Sequence, residues 1–142
     1  MFFTECKDVN WKYFNNTNNC YRYVNKELNW NDAKKHCQSL PSKLVAIHSE
    51  EEMNFLEQKV VHGVNFKSGG STGIWIGGYE INGKWNWDDG SEFDWKNWEK
   101  TQPNAPKVTD TIDDCAYLWT TERYEWVDAR CDDYSFPFIC MS

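Results

Sequence analysis

The side chains with chemistry to offer are few, and their placement narrows what that chemistry can be. His36, His48 and His62 are scattered along the chain, and no Ser, Cys or metal-partner motif accompanies them. The paired carboxylates Asp88-Asp89 and Asp132-Asp133 fall in turn-forming stretches, where a solvated cap is the ordinary role of aspartate. No catalytic constellation emerges, so the chain reads as a non-enzyme. The informative stretch is residues 85–104, WNWDDGSEFDWKNWEKTQPN. Trp85, Trp87, Trp95 and Trp98 require burial, while Asp88-Asp89-Gly90-Ser91 and Gln102-Pro103-Asn104 require tight exposed turns. Such a segment is a folded scaffold holding a polar loop.

Composition sets the bounds. A chain of 142 residues reads as one domain, able to bury about two-thirds of its unfolded surface. Aromatics make up 17% of it, with nine Trp, which secures a core. The net charge of −7 argues against nucleic acid as the main partner, since phosphate binding wants basic stripes. No apolar run approaches the roughly 18 residues of a membrane span. Met1-Phe2-Phe3 is too short for a leader, as expected of the mature form of a secreted precursor. Cysteines 6, 20, 37, 115, 131 and 140 form an even set without a C-x-x-C pair, which points to three disulfides in an oxidising compartment rather than zinc. Six cysteines alone permit about 15 pairings. Asn15-Asn16-Thr17 is an N-glycosylation acceptor pattern.

The elements follow from local signals. Residues 7–28 alternate aromatic and polar positions around an Asn-rich turn, which predicts a hairpin. Asn29 caps a helix through Trp30, Ala33, Cys37 and Leu40, stopped by Pro41. Leu44-Val45-Ala46-Ile47 predicts a short buried strand. Ser49 and Glu52 form a capping box for an amphipathic second helix bearing Met53, Leu56, Val60 and Val64, ended by Gly63 or by residues 68–71. Strand-like runs cover Trp75 to Gly78, Cys115 to Trp119, Trp126 to Arg130 and Phe136 to Cys140. Helices early and antiparallel strands late predict an α+β domain.

The cysteines, Trp75-Ile76-Gly77, the W-x-W-x-D-G-S run from Trp85 to Ser91, Asn97-Trp98 and the Gln-Pro-Asn tripeptide occur in the order of the C-type lectin-like domain, which the whole chain resembles. The resemblance implies a secreted α+β module over residues 1–142, with two helices, antiparallel sheets and long disulfide-bridged loops. Residues 1–28 are its N-terminal hairpin extension. It selects Cys37–Cys140 and Cys115–Cys131 as core bridges and Cys6–Cys20 as the hairpin bridge of the long form.

In that family a calcium ion held by the tripeptide binds vicinal sugar hydroxyls. Carried over by position, the ligands for calcium and sugar are Gln102, Asn104, Asp113 and Asp128, with the Gln102–Pro103 bond cis so that both flanking side chains turn the same way. Gln102 stands where mannose-type sites have an acid, and Val127 stands where they have Asn. Ala105 occupies an acidic position of the second calcium site, and the stretch from Asn104 to Asp113 is longer than usual. With two carboxylates on the ion, the implied affinity is of order 10⁻³ M. Gln-Pro-Asn mixes the mannose-type and galactose-type tripeptides. Lys96, Lys100 and Lys107 lie around the loop, where they serve solubility or attract sulfated or sialylated glycans. The expected function is a secreted module that binds a glycan or glycoprotein through weakly held calcium. The alternative is a calcium-independent protein-binding domain of the same fold.

Overall fold

A computed structural model of the chain describes residues 6–64, 73–104, 114–121 and 123–142. It begins with the expected hairpin. Strands β1 (Lys12–Phe14) and β2 (Asn19–Leu28) pair across a turn in which Asn18 takes φ 60°, a left-handed conformation that asparagine tolerates. Cys6–Cys20 staples this hairpin.

Helix α1 (Trp30–Gln38) is capped by Asn29, whose side chain accepts from the Asp32 amide at 2.9 Å. It buries Trp30, Ala33 and Cys37 but stops before Leu40, because the Ser39 hydroxyl donates to the His36 carbonyl and Pro41 lies ahead. The run Leu44 to Ile47 is fully buried, yet only β3 (Lys43–Leu44) pairs as a strand. Val45 instead bridges two neighbours: its amide donates to Ile139 at 3.0 Å and its carbonyl accepts from Gly77 at 2.8 Å. A Cβ on Gly77 would lie 2.8 Å from the Leu44 carbonyl oxygen, so the third residue of Trp75-Ile76-Gly77 must be glycine.

Helix α2 (Glu50–Phe55) begins at Ser49, whose hydroxyl accepts from the Glu52 amide at 3.0 Å. The other half of the capping box is displaced. Glu52 Oε1 accepts from the His48 amide at 2.8 Å, and Oε2 accepts from the Tyr21 hydroxyl at 2.5 Å. Only 1% exposed, Glu52 thereby ties α2 to the hairpin. A π-helical turn over Leu56–Val60 shifts the face by one residue, so Val61 is buried where Val60 was expected.

Strands β4 (Gly73–Ile81), β5 (Lys84–Trp87), β6 (Asp114–Trp119), β7 (Glu125–Arg130) and β8 (Phe136–Met141) complete one sheet. Its order is β1-β2-β8-β4-β6-β7, with β3 on β8 and β5 on β4. The sheet is mixed rather than wholly antiparallel: the last strand inserts between β2 and β4 and meets β4 in parallel at Trp75 and Phe138. The β4–β5 turn is Asn82-Gly83 with φ 54° and 78°, the two positive values that a tight hairpin turn requires. That dipeptide, just ahead of the aromatic stretch, is a hairpin signal beyond those read from the sequence above. The fold is α+β, with the three bridges Cys6–Cys20, Cys37–Cys140 and Cys115–Cys131 in place.

One buried and three half-buried tyrosines give the fold a pH limit. Burial raises the hydroxyl pKa of Tyr21, with Glu52 adding to the effect, and pushes Tyr23 up to about 12; Tyr117 and Tyr124 are raised for the same reason. Because the folded-state values exceed the unfolded value near 10, their contribution is complete below about pH 10 and is lost as pH climbs through the folded values. The melting temperature should hold to about pH 10 and then fall, less steeply in Tyr23→Phe.

Candidate functional site

The site is built around Trp126 on β7, which is fully buried. Trp87, Phe93, Trp95 and Trp98 stand edge-on to its ring, with centroids 5.4–6.0 Å away. Backbone bonds hold the long loop to the same strand: Trp126 donates to Asn97 at 2.8 Å and Glu99 donates to Trp126 at 2.9 Å. Asn97 also donates to the Tyr124 carbonyl. Glu99 accepts from the Thr101 amide and hydroxyl at 2.9 and 2.6 Å, bonds that hold its carboxyl below the usual carboxylate range.

This anchored loop presents Gln102-Pro103-Asn104, and the Gln102–Pro103 bond is cis. Asp128, 7% exposed, accepts from the Asn104 amide at 2.8 Å, so strand β7 and the tripeptide meet. Gln102 Oε1 is buried with no hydrogen-bond partner among the described residues. Val127 is 8% exposed and brings no side-chain oxygen. The contact that joins this loop to β7 is the one between the Asn104 amide and Asp128, while Asp113, Ala105 and Lys107 lie outside the described residues. Among the described residues no three His, Cys, Asp or Glu side chains gather as a metal group.

Two sequence readings are corrected at the base of the loop. Asp88 is no solvated cap: its side chain is 4% exposed, accepts from the Leu44 amide at 3.1 Å and lies 3.6 Å from Lys34 Nζ. Its partners are 44 and 54 residues away, beyond the reach of turn statistics. The pair Asp132-Asp133 does remain exposed, beside Arg130. His48, read as partnerless, lies with Nδ1 2.7 Å from Asp94 and Nε2 2.9 Å from the Ser91 hydroxyl. The bond from His48 holds the Asp94 carboxyl below its usual range. Although Ser, His and Asp stand in line, the Ser91 hydroxyl donates to Asp89 at 2.5 Å. It therefore serves as an acceptor toward His48, the reverse of the polarity a nucleophilic serine needs. The network staples residues 89–94 to the segment ahead of α2.

The family profile described as Lectin C-type domain matches residues 26–142, and the chain belongs to that family of lectin-like binding domains. Ladderlectin of Oncorhynchus mykiss is 36% identical over 120 residues, covering 83% of this chain and 59% of that protein. The chain thus spans about three-fifths of that relative. A solved SPL-1–GlcNAc complex superposes with TM-score 0.79 at 25% identity, covering 97% of this chain and 95% of that one. A calcium-independent type II antifreeze protein shares the fold, with TM-score 0.77 at 24% identity over 100% of this chain and 98% of that one. No helix among the described residues is long and apolar enough to cross a membrane.

Proposed function

We propose that the chain is an extracellular carbohydrate-recognition module, holding glycan hydroxyls at a reduced calcium site formed by Gln102, Asn104, Asp113 and Asp128. The supporting observation is the buried, unpartnered Gln102 Oε1 in the tripeptide whose Asn104 amide is held by Asp128. A carbonyl oxygen shut away from water without a donor costs roughly 1–3 kcal/mol, which a cation ligated there would offset. Asp128 positions the tripeptide through the Asn104 amide, while the two amide side chains can donate to and accept from sugar hydroxyls. Calcium, when bound, supplies a positive centre for a pair of vicinal hydroxyls. The SPL-1 relative, solved with GlcNAc, supports the ligand class. We take residues 1–142 as the unit, with the hairpin over 1–28 as its extension, because β2 pairs directly with β8.

The competing reading is calcium-independent protein binding. It draws support from the low carboxylate count: Gln102 is neutral, Val127 has no oxygen to give, and Asp128 already spends Oδ1 on the Asn104 amide.

Calcium separates the two. At a dissociation constant of order 10⁻³ M, 10 mM calcium should stabilise the fold by about 1.4 kcal/mol, raising the melting temperature by about 3–6 °C. EDTA should remove the gain. Gln102→Glu restores a third carboxylate at the orphaned oxygen and should tighten calcium about tenfold by titration calorimetry, or about 1.4 kcal/mol. A flat melting profile together with no calcium heat for Gln102→Glu would overturn the calcium site and favour the protein-binding reading.

Asn15, exposed at the hairpin tip, is the proposed glycan acceptor. Chain produced through a secretory pathway should lose one N-glycan of mass on glycosidase treatment, and Asn15→Gln should lack that change.

A further inference from the structure

Beside β5 lies a groove of about 480 Å³ whose lining includes none of Gln102, Asn104 and Asp128. Its walls include Lys84, Trp85, Asn86, Glu92, Phe93 and Lys96. The half-buried Trp85 ring is braced by Trp98 at 4.8 Å and Phe93 at 6.2 Å, so one aromatic surface is held rigid at the groove. An aromatic face of that kind suits the apolar side of a pyranose ring, and the volume falls in the range of small-ligand sites. Asn86 commits its amide nitrogen to the Lys84 carbonyl at 3.0 Å, which leaves its oxygen to accept a hydroxyl.

The charge is unusual for this molecule. In a chain of net charge −7, two lysines line the groove against one carboxylate, Glu92. Lys84 and Lys96 are exposed, and among the described residues neither enters an ion pair, whereas Lys34 is held by Asp88. Two free ammonium groups flanking an aromatic surface suit an anionic group with several acceptor oxygens.

We propose that this groove is a calcium-independent subsite for an acidic sugar, whose ring packs on Trp85 while its sulfate or carboxylate sits between Lys84 and Lys96. The subsite stands apart from the calcium reading, since none of its groups is a calcium ligand in that reading.

The test titrates three octasaccharides, heparin-derived, hyaluronan and uncharged maltooctaose, into the whole chain in EDTA. An acidic octasaccharide should bind, and binding should weaken about tenfold or more in Lys84→Glu/Lys96→Glu and as salt screens the ammonium groups. Lys84→Gln/Lys96→Gln gives the same readout with less disturbance, and Lys12→Glu, exposed on β1 and outside the groove, should bind as the parent does. Heparin binding without hyaluronan binding assigns sulfate; comparable binding of both assigns the carboxylate. Equal affinity for maltooctaose, unchanged binding by both double variants, a requirement for calcium, or no binding of either acidic chain overturns the proposal. Calcium-dependent melting of the same double variants is read in parallel, so failure of this subsite and failure of the calcium site remain distinguishable.

Discussion

Replacing Cys37 and Cys140 together by alanine should cost about 4–5 kcal/mol of stability. The bridge joins positions 103 residues apart, and in the loop-closure view the entropy it removes from the unfolded chain grows with the logarithm of that separation. Both cysteines are fully buried, so their loss also opens space between α1 and β8. Since a domain of this kind has about 5–15 kcal/mol in total, the variant should lie near the unfolding threshold at 37 °C. Urea denaturation of the parent, the Cys37/Cys140 variant and the Cys6/Cys20 variant provides the measurement. The latter closes only 14 residues at the chain's edge and should cost about 3 kcal/mol by the same reasoning. If the short bridge proved the more important, loop closure would not be what Cys37–Cys140 contributes.

Trp126→Ala should cost about 3–5 kcal/mol and disturb the recognition loop at the same time. The indole fills the space among Trp87, Phe93, Trp95 and Trp98, four rings that come from the loop it anchors and the strand before it. Its removal would leave those rings facing a cavity. The backbone bonds from Asn97 and Glu99 to residue 126 would then hold the loop with little packing behind them. Near-UV circular dichroism should lose much of its intensity, and calcium-induced stabilisation should shrink along with the global stability. Trp126→Phe keeps an aromatic edge at the centre and should lose far less. A Trp126→Ala protein within about 1 kcal/mol of the parent would show that the aromatic cluster does not organise this region.

Much of the architecture was legible because its causes are local. Asn29 and Ser49 cap their helices by bonding amides three residues ahead, and Pro41 stops the first helix wherever the chain travels. Trp85, Trp87, Trp95 and Trp98 had to be sheltered, so the segment carrying them had to be structured. Resemblance to a known family added the pairing of six cysteines and the residues around the tripeptide, which no composition argument reaches. Gly77 shows the boundary well: the glycine is plain in the sequence, but its necessity comes from the carbonyl of Leu44, thirty-three positions earlier.

The amino-acid sequence by itself therefore determined which segments become helix, turn or buried strand, along with the aromatic demand for a core. Tertiary structure alone decided that Asp128 would hold Asn104, that His48 would join Asp94 to Ser91, and that Asp88 would be drawn inward to Leu44. It also decided that Glu52 would turn to Tyr21, that a π-helical turn would exchange Val61 for Val60, and that β8 would lie between β2 and β4. The reason is physical. A cap or turn is set by interactions within a few residues, whereas these contacts depend on sheet register and on the closing of long loops, and their partners become neighbours only once the whole core has packed.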